Sequence, residues 1–267
     1  MTNRSGRAGA RQRGSLMIVG TGITGVGQAT LEASACMERA EQLFYLVTEP
    51  TTELWIRQLN RTATSLSDLY GEGKSRRTTY AEMTARMVEP VRRGLRVCAA
   101  FYGHPGVLVQ ATHRAIRRLT REGFDARMLP GVSADGCLYA DLGVNPGDQG
   151  VQSFEATDFL LYRRRFDPTS ALILWQVGVL GEPGARQGPC RPDRLCTLTA
   201  ALRRSYPATH RVVLYYAATF PANPPVVQRL ALARLPDARV SPLAMLYVPA
   251  LPPRPINRAI LEWYDEP

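Results

Sequence analysis

The 267-residue sequence has no apolar run approaching the roughly 20 residues needed to span a bilayer. It holds only three histidines, His104, His113 and His210. Its five cysteines are Cys36, Cys98, Cys137, Cys190 and Cys196. An odd number in a chain of this length argues against a disulfide framework. Cys190 and Cys196 have no second ligand pair near them, so no metal centre is expected, and the thiols read as free and mostly buried. Residues 1–13 are polar and basic. Lacking an apolar stretch, they do not form a secretory signal. They are expected to be a flexible basic tail on a cytoplasmic protein.

What is present is globular. Hydrophobic residues make up 45% of the chain, too many for disorder. The length suits one large core or two medium domains. Basic residues outnumber acidic ones by 33 to 23, a net charge of +10. The arginines are dispersed, as at Arg92 and Arg93, Arg117 and Arg118, Arg163 to Arg165, and Arg203 and Arg204. They read as solvated helix faces and loops more than as one nucleic-acid patch. Attraction of an acidic peptide stays open.

Periodicity places strands at residues 15–20, 43–47, 96–102 and 125–129. Helices are expected at 26–39, 52–59, 79–93, 109–121 and 134–141. This alternation predicts a parallel, doubly wound sheet. The glycine- and proline-rich stretch at 143–150 marks a domain boundary. Beyond it, strands are expected at 172–177, 212–217 and 243–248, and helices at 195–204 and 256–264. Residues 226–235 are mixed and 183–192 read as a loop. The fold class is therefore α/β, with a parallel-sheet domain at 14–147, a mixed-sheet domain at 148–250 and an extension at 251–267.

Four motifs carry chemistry. Gly20-Thr21-Gly22-Ile23-Thr24-Gly25 follows a strand with dinucleotide-turn spacing, and Glu49 lies near the end of the next strand. Taken alone, that turn fits a nicotinamide enzyme or a ligand-free tight turn equally well. Phe101-Tyr102-Gly103-His104-Pro105-Gly106-Val107 and Leu129-Pro130-Gly131-Val132-Ser133-Ala134 close two further strands. Ser133 is placed to cap a helix. Three loops at one sheet edge favour a ligand site over three separate turns. The fourth motif runs from Leu69-Tyr70-Gly71 through Gly73-Lys74-Ser75-Arg76 to Tyr80. It lacks phosphate-loop spacing. Two tyrosines and an arginine could grip and polarise a carbonyl, although composition alone would make this an exposed basic loop.

These residues together resemble the tetrapyrrole methylases, which bind S-adenosylmethionine in a cleft between two α/β domains. Gly73 to Arg76, Phe101 to Val107, Met128 to Ala134, Phe154-Glu155-Ala156-Thr157-Asp158-Phe159 and Leu174-Trp175-Gln176-Val177-Gly178 are similar to borosin α-N-methyltransferases. The resemblance runs from about Gly14 to Pro249. It implies catalytic roles for Tyr70, Arg76 and Tyr80, with Tyr102 near the methyl group. It implies contacts to S-adenosylmethionine from Gly20, Gly22, Tyr102, His104, Val107, Ser133, Ala134, Gln176, Ala217, Ala244 and Met245. Fungal members have a further tyrosine where Ser67 stands here. They also carry their substrate as a C-terminal extension. A chain ending at Pro267 fits the split, bacterial arrangement, with a precursor peptide supplied in trans. The resemblance further implies a homodimer. A tetrapyrrole or small-molecule methylase of the same fold, a nicotinamide oxidoreductase, and a non-catalytic donor- or nucleic-acid-binding protein are the competing readings.

Overall fold

The computed structural model describes residues 13–71, 73–182, 190–253 and 255–265. Residues 1–12, read as a basic tail, and 183–189, read as a loop, lie outside them. Arg13, the last residue of that expected tail, holds its guanidinium 5.4 Å from the Phe124 ring centre.

The first elements are β1 (Ser15–Gly20), α1 (Leu31–Arg39), β2 (Gln42–Leu46), α2 (Pro50–Leu59), β3 (Thr64–Ser65), α3 (Arg76–Arg92), β4 (Arg96–Phe101), α4 (Gln110–Arg121) and β5 (Asp125–Met128). The strands form one parallel sheet in the order β3-β2-β4-β1-β5. Alternate residues of each strand face opposite sides, as the strand period of two requires. Val97, Ala99 and Phe101 of β4 join Leu16, Ile18 and Phe44 beneath α3 and α4. Cys98 and Ala100 join Val19, Leu43 and Tyr45 beneath α1 and α2. Both faces are covered, which is why these strands read as nearly continuous apolar runs.

There follow α5 (Ala134–Leu142), α6 (Pro146–Gln149), β6 (Val151–Glu155), α7 (Ala156–Leu161), β7 (Ala171–Trp175), α8 (Pro192–Leu202), β8 (Arg211–Tyr216), β9 (Val226–Ala231), β10 (Met245–Val248) and α9 (Arg258–Asp265). The second sheet has the order β6-β7-β10-β8-β9. It is mixed, with β6 parallel to β7 and the other pairs antiparallel. Its core includes Leu172, Leu174, Leu195, Leu198, Val212, Leu214 and Leu246. Glu155 caps α7 by accepting from Asp158 N at 2.7 Å. At the other end of α7, Arg163 N donates to Leu160 O (3.2 Å) and Arg164 N to Phe159 O (3.1 Å). That pairing is a Schellman closure with Arg163 in the left-handed position, at φ 47°.

By packing, the chain divides into two compact units. One comprises the described residues up to Cys137 with Ala218–Pro224. The other comprises Leu138–Glu182, the described residues up to Ala217, and those from Pro225 on. None of the five cysteines is in a disulfide. Among the described residues no helix is long and apolar enough to cross a membrane.

Several expected elements differ in their bounds. The helix placed at 26–39 begins only at Leu31, because Thr30 caps it by accepting from Ala33 N at 3.0 Å. The region 226–235 resolves into β9 and a 3-10 turn over Leu232–Asp237. The strand placed at 243–248 begins at Met245, since Ala244 is used in a turn with Ser241.

Candidate active site

In the first unit, the three turns marked by the sequence meet at the carboxyl edge of the parallel sheet. A Cβ on Gly20 would lie 2.3 Å from the Gly103 carbonyl oxygen, 2.9 Å from Pro105 Cδ and 3.2 Å from Gly131 Cα. Only glycine lets the loops approach this closely. Thr21 N donates to Phe101 O at 2.8 Å, and Gly103 N to Gly22 O at 2.9 Å. Tyr102 N donates to Leu46 O at 3.0 Å, tying the loop to β2. His104 Nδ1 accepts from Gly106 N at 3.0 Å, which directs the neutral ring's proton to Nε2. Val107 N closes the same turn on His104 O. Ser133 stands directly before α5, and its carbonyl accepts from Cys137 N at 3.2 Å. Tyr102, His104, Val107, Ser133 and Ala134 are all half-buried at this edge.

The dinucleotide reading of the first turn fails here. Gln28 Oε1 accepts from Ile23 N at 2.7 Å and from Thr24 N at 3.1 Å. Backbone N–H groups of this kind would hold a pyrophosphate. The turn also runs into a 3-10 turn at Gly25–Gly27 rather than opening α1. Glu49 occupies the N-cap position of α2 by its backbone, without a side-chain cap hydrogen bond.

In the second unit, another group converges on one sheet edge. Gln176 follows β7 in a left-handed conformation, φ 57°. Val177 N donates to Ala244 O at 3.1 Å. A Cβ on Gly178 would fall 1.7 Å from Ser241 O, so segment 176–178 lies flush on 241–244. Register pairs Met245 with Tyr215, which brings Ala217, just past β8, to the same edge. Ala217, Ala244 and Met245 are buried. Tyr215 donates its hydroxyl to Asp141 Oδ2 at 2.5 Å.

A third group lies in the first unit. Tyr70 ends the 3-10 turn Ser67–Leu69, its N–H donating to Ser67 O at 3.1 Å. Arg76 is the first residue of α3, not a loop residue. Ser75 caps that helix by accepting from Thr78 N at 3.2 Å. Tyr80 follows one turn on. Both tyrosines pack against the core layer containing Phe101. The Tyr70 phenol is pushed up to about 12, chiefly by burial and then by the adjacent Tyr80 hydroxyl, while Arg76 pulls the other way. Tyr80 and Arg76 thus both act on the Tyr70 hydroxyl.

Residues 15–233 match the family described as Tetrapyrrole (Corrin/Porphyrin) Methylases. The chain belongs to this family. The methylase is 41% identical over 243 residues to a methyltransferase/ribosomally synthesized cyclic peptide gymnopeptides precursor of Gymnopus fusipes, covering 90% of this chain and 58% of that protein. It is 42% identical over 240 residues to the omphalotin A counterpart of Omphalotus olearius, covering 88% and 58%. With a type I borosin cyclic peptide precursor of Coprinopsis marcescibilis it shares 40% over 246 residues, covering 90% and 63%. The chain spans about three-fifths of the length of these relatives. Its fold matches that of uroporphyrin-III-C-methyltransferase from Thermus thermophilus, with a TM-score of 0.65, 21% identity, and coverage of 89% and 93%. A cobalt precorrin-4 methyltransferase gives 0.61 at 17% identity, covering 88% and 94%.

The methylase's first-unit turns carry no Asp, Glu, Lys or Arg side chain across residues 20–25, 102–107 and 129–134. A neutral edge suits a ligand bearing a cationic sulfonium better than one bearing a pyrophosphate. Sequence reasoning missed Gln28, although a glutamine just past a glycine turn is a visible capping candidate. It also missed Glu82 and Arg86. They pair with Lys74 and Asp68, on either side of Tyr70, across distances in sequence that no helical or strand spacing announces.

Proposed function

We propose that this methylase transfers methyl groups from S-adenosylmethionine to backbone amide nitrogens of a ribosomally made precursor peptide supplied in trans, working as a homodimer. The observation that carries the reading is the Tyr70–Arg76–Tyr80 cluster. The fungal relatives, whose names join methyltransferase and peptide precursor, support the peptide as acceptor. Tyr102, His104, Val107, Ser133, Ala134, Gln176, Ala217, Ala244 and Met245, with the Gly20 and Gly22 turn as floor, are the residues that would hold the donor.

An amide nitrogen is a poor nucleophile because its lone pair is delocalised into the carbonyl. Arg76 places a fixed positive charge where the amide oxygen becomes negative. Tyr70, which keeps its proton to about 12, is a hydrogen-bond donor to the same oxygen. Tyr80, in its phenolate form beside Arg76, receives the N–H proton and becomes the neutral phenol. When bound, the donor would supply an electrophilic methyl, with S-adenosylhomocysteine as the leaving group. Holding nitrogen and methyl in line supplies the proximity.

The test is mass spectrometry of a precursor peptide incubated with enzyme and S-adenosylmethionine. Steps of one methyl mass on backbone nitrogens support the reading. Methylation confined to side chains, or to a tetrapyrrole offered in parallel, overturns it.

A further inference from the structure

Lys74 is the only lysine in a chain whose 33 basic side chains are otherwise all arginine. It lies in the segment between Tyr70 and Arg76. Its ammonium donates to Leu69 O at 2.8 Å and forms an ion pair with Glu82 of α3. Its backbone N–H donates to Gly71 O at 3.2 Å. On the other side of Tyr70, Asp68 takes both carboxylate oxygens to Arg86 Nη1, at 2.8 and 2.7 Å. Glu82 and Arg86 are one helical turn apart and so share a face of α3. Tyr70 is therefore bracketed by two ion pairs that end on the helix carrying Arg76 and Tyr80.

We propose that Lys74 is a positioning residue, which pins the Tyr70 segment to α3 so that the Tyr70 hydroxyl is held against Tyr80 and Arg76. This rests on the amide-methylation reading for its consequence in catalysis, but not for its geometry. A lysine suits the place. A compact ammonium offers donors in several directions and reaches a carbonyl and a carboxylate at once. A planar guanidinium needs a wider, flatter setting. The Lys74 side chain is 27% exposed and Glu82 41%. A pair that open contributes little to global stability. Its effect is local: it fixes which way Tyr70 points.

The experiment is a double-mutant cycle on the full chain, with Lys74→Met, Tyr70→Phe and their combination. It is read as kcat and as KM for S-adenosylmethionine, with Lys74→Arg run alongside as the variant that keeps the charge. Lys74→Met is expected to lower kcat by up to about 100-fold, the scale of a small misplacement of a reacting group, with KM for the donor unchanged. In the Tyr70→Phe background the same change should cost nothing further. Wild-type kcat in Lys74→Met, or an equal loss in both backgrounds, overturns the proposal. Should Lys74→Met fail to fold, Lys74→Arg takes its place in the cycle, with a partial loss of kcat that likewise vanishes in Tyr70→Phe. An independent reading uses carbon-13 labelling of the tyrosine ring carbon bearing the hydroxyl, with Tyr70 assigned by Tyr70→Phe. Its resonance should move in Lys74→Met, and an unmoved resonance overturns the staple whether or not any peptide is methylated. A wild-type enzyme that methylates no peptide while that resonance moves would sink the amide reading and leave the staple standing.

Discussion

Gly20 and Gly103 touch so closely that a methyl group on Gly20 would sit 2.3 Å from the Gly103 carbonyl oxygen. The floor of the first-unit edge is built from backbone meeting backbone. Gly20→Ala should destabilise the protein by about 1–3 kcal/mol, the cost of overpacking a region that cannot yield. Gly136→Ala is the internal control. It lies within α5 with nothing near its Cβ position. There alanine should raise stability, by up to about 1 kcal/mol. Urea unfolding midpoints check both.

Tyr80→Phe removes the proposed proton acceptor and leaves the packing ring. Peptide methylation should drop by about 100-fold or more. Binding of S-adenosylmethionine, followed by calorimetry, should be unchanged. Full methylation by Tyr80→Phe would remove the base assignment.

Arg163 occupies, at φ 47°, the helix-closing position where glycine is least strained. Its guanidinium has no ion pair with the described residues. Arg163→Gly should stabilise by about 0.5–1 kcal/mol in thermal unfolding. A loss of stability would show that the arginine's charge at the α7 terminus outweighs its backbone strain.

Alkaline pH should expose two tyrosines. The phenols of Tyr70 and Tyr206 are both pushed up to about 12, first by burial, with Tyr80 adding at Tyr70 and Asp167 at Tyr206. Below their ordinary value of 10.0, folded and unfolded chains hold these protons alike. Between there and about 12 the unfolded chain releases protons that the folded chain retains, so stability falls as pH rises. The Tyr70→Phe/Tyr206→Phe double variant should show a flatter decline over that window. Among the described residues the buried Tyr206 hydroxyl also has no hydrogen-bond partner. Tyr206→Phe alone should therefore leave stability at neutral pH unchanged or raise it, by up to about 2 kcal/mol.

The parallel sheet was legible because its strands are buried on both faces and read as apolar runs between glycine turns. β6 was not, since Val151-Gln152-Ser153-Phe154-Glu155 alternates polar residues at a sheet edge and ends in a residue that serves as a helix cap. The start of α1 was missed because the apolar spacing at Val26 continues through a 3-10 turn, and only Thr30 marks the true boundary. At the site, the residue types at Tyr70, Arg76 and Tyr80 were visible in the sequence. Their grouping was not, because the segment between Tyr70 and Arg76 is folded back beside α3, where Lys74 and Asp68 pair with Glu82 and Arg86 at separations that no periodicity announces. Arg76 read as a loop residue for the same reason: a glycine-flanked stretch hid a helix that Ser75 begins.

The Gln28 side chain gives the glycine turn an internal occupant. A carboxamide tethered four or five residues from the groups it binds competes as an intramolecular ligand, at an effective concentration far above that of any free nucleotide. A dissolved diphosphate would have to displace it before gaining its first hydrogen bond. The turn has the spacing of a nucleotide cradle, but its anion-binding capacity is already spent within the chain. A side chain outside the glycine pattern, Gln28, is therefore what sets this turn apart from a nucleotide cradle of the same spacing.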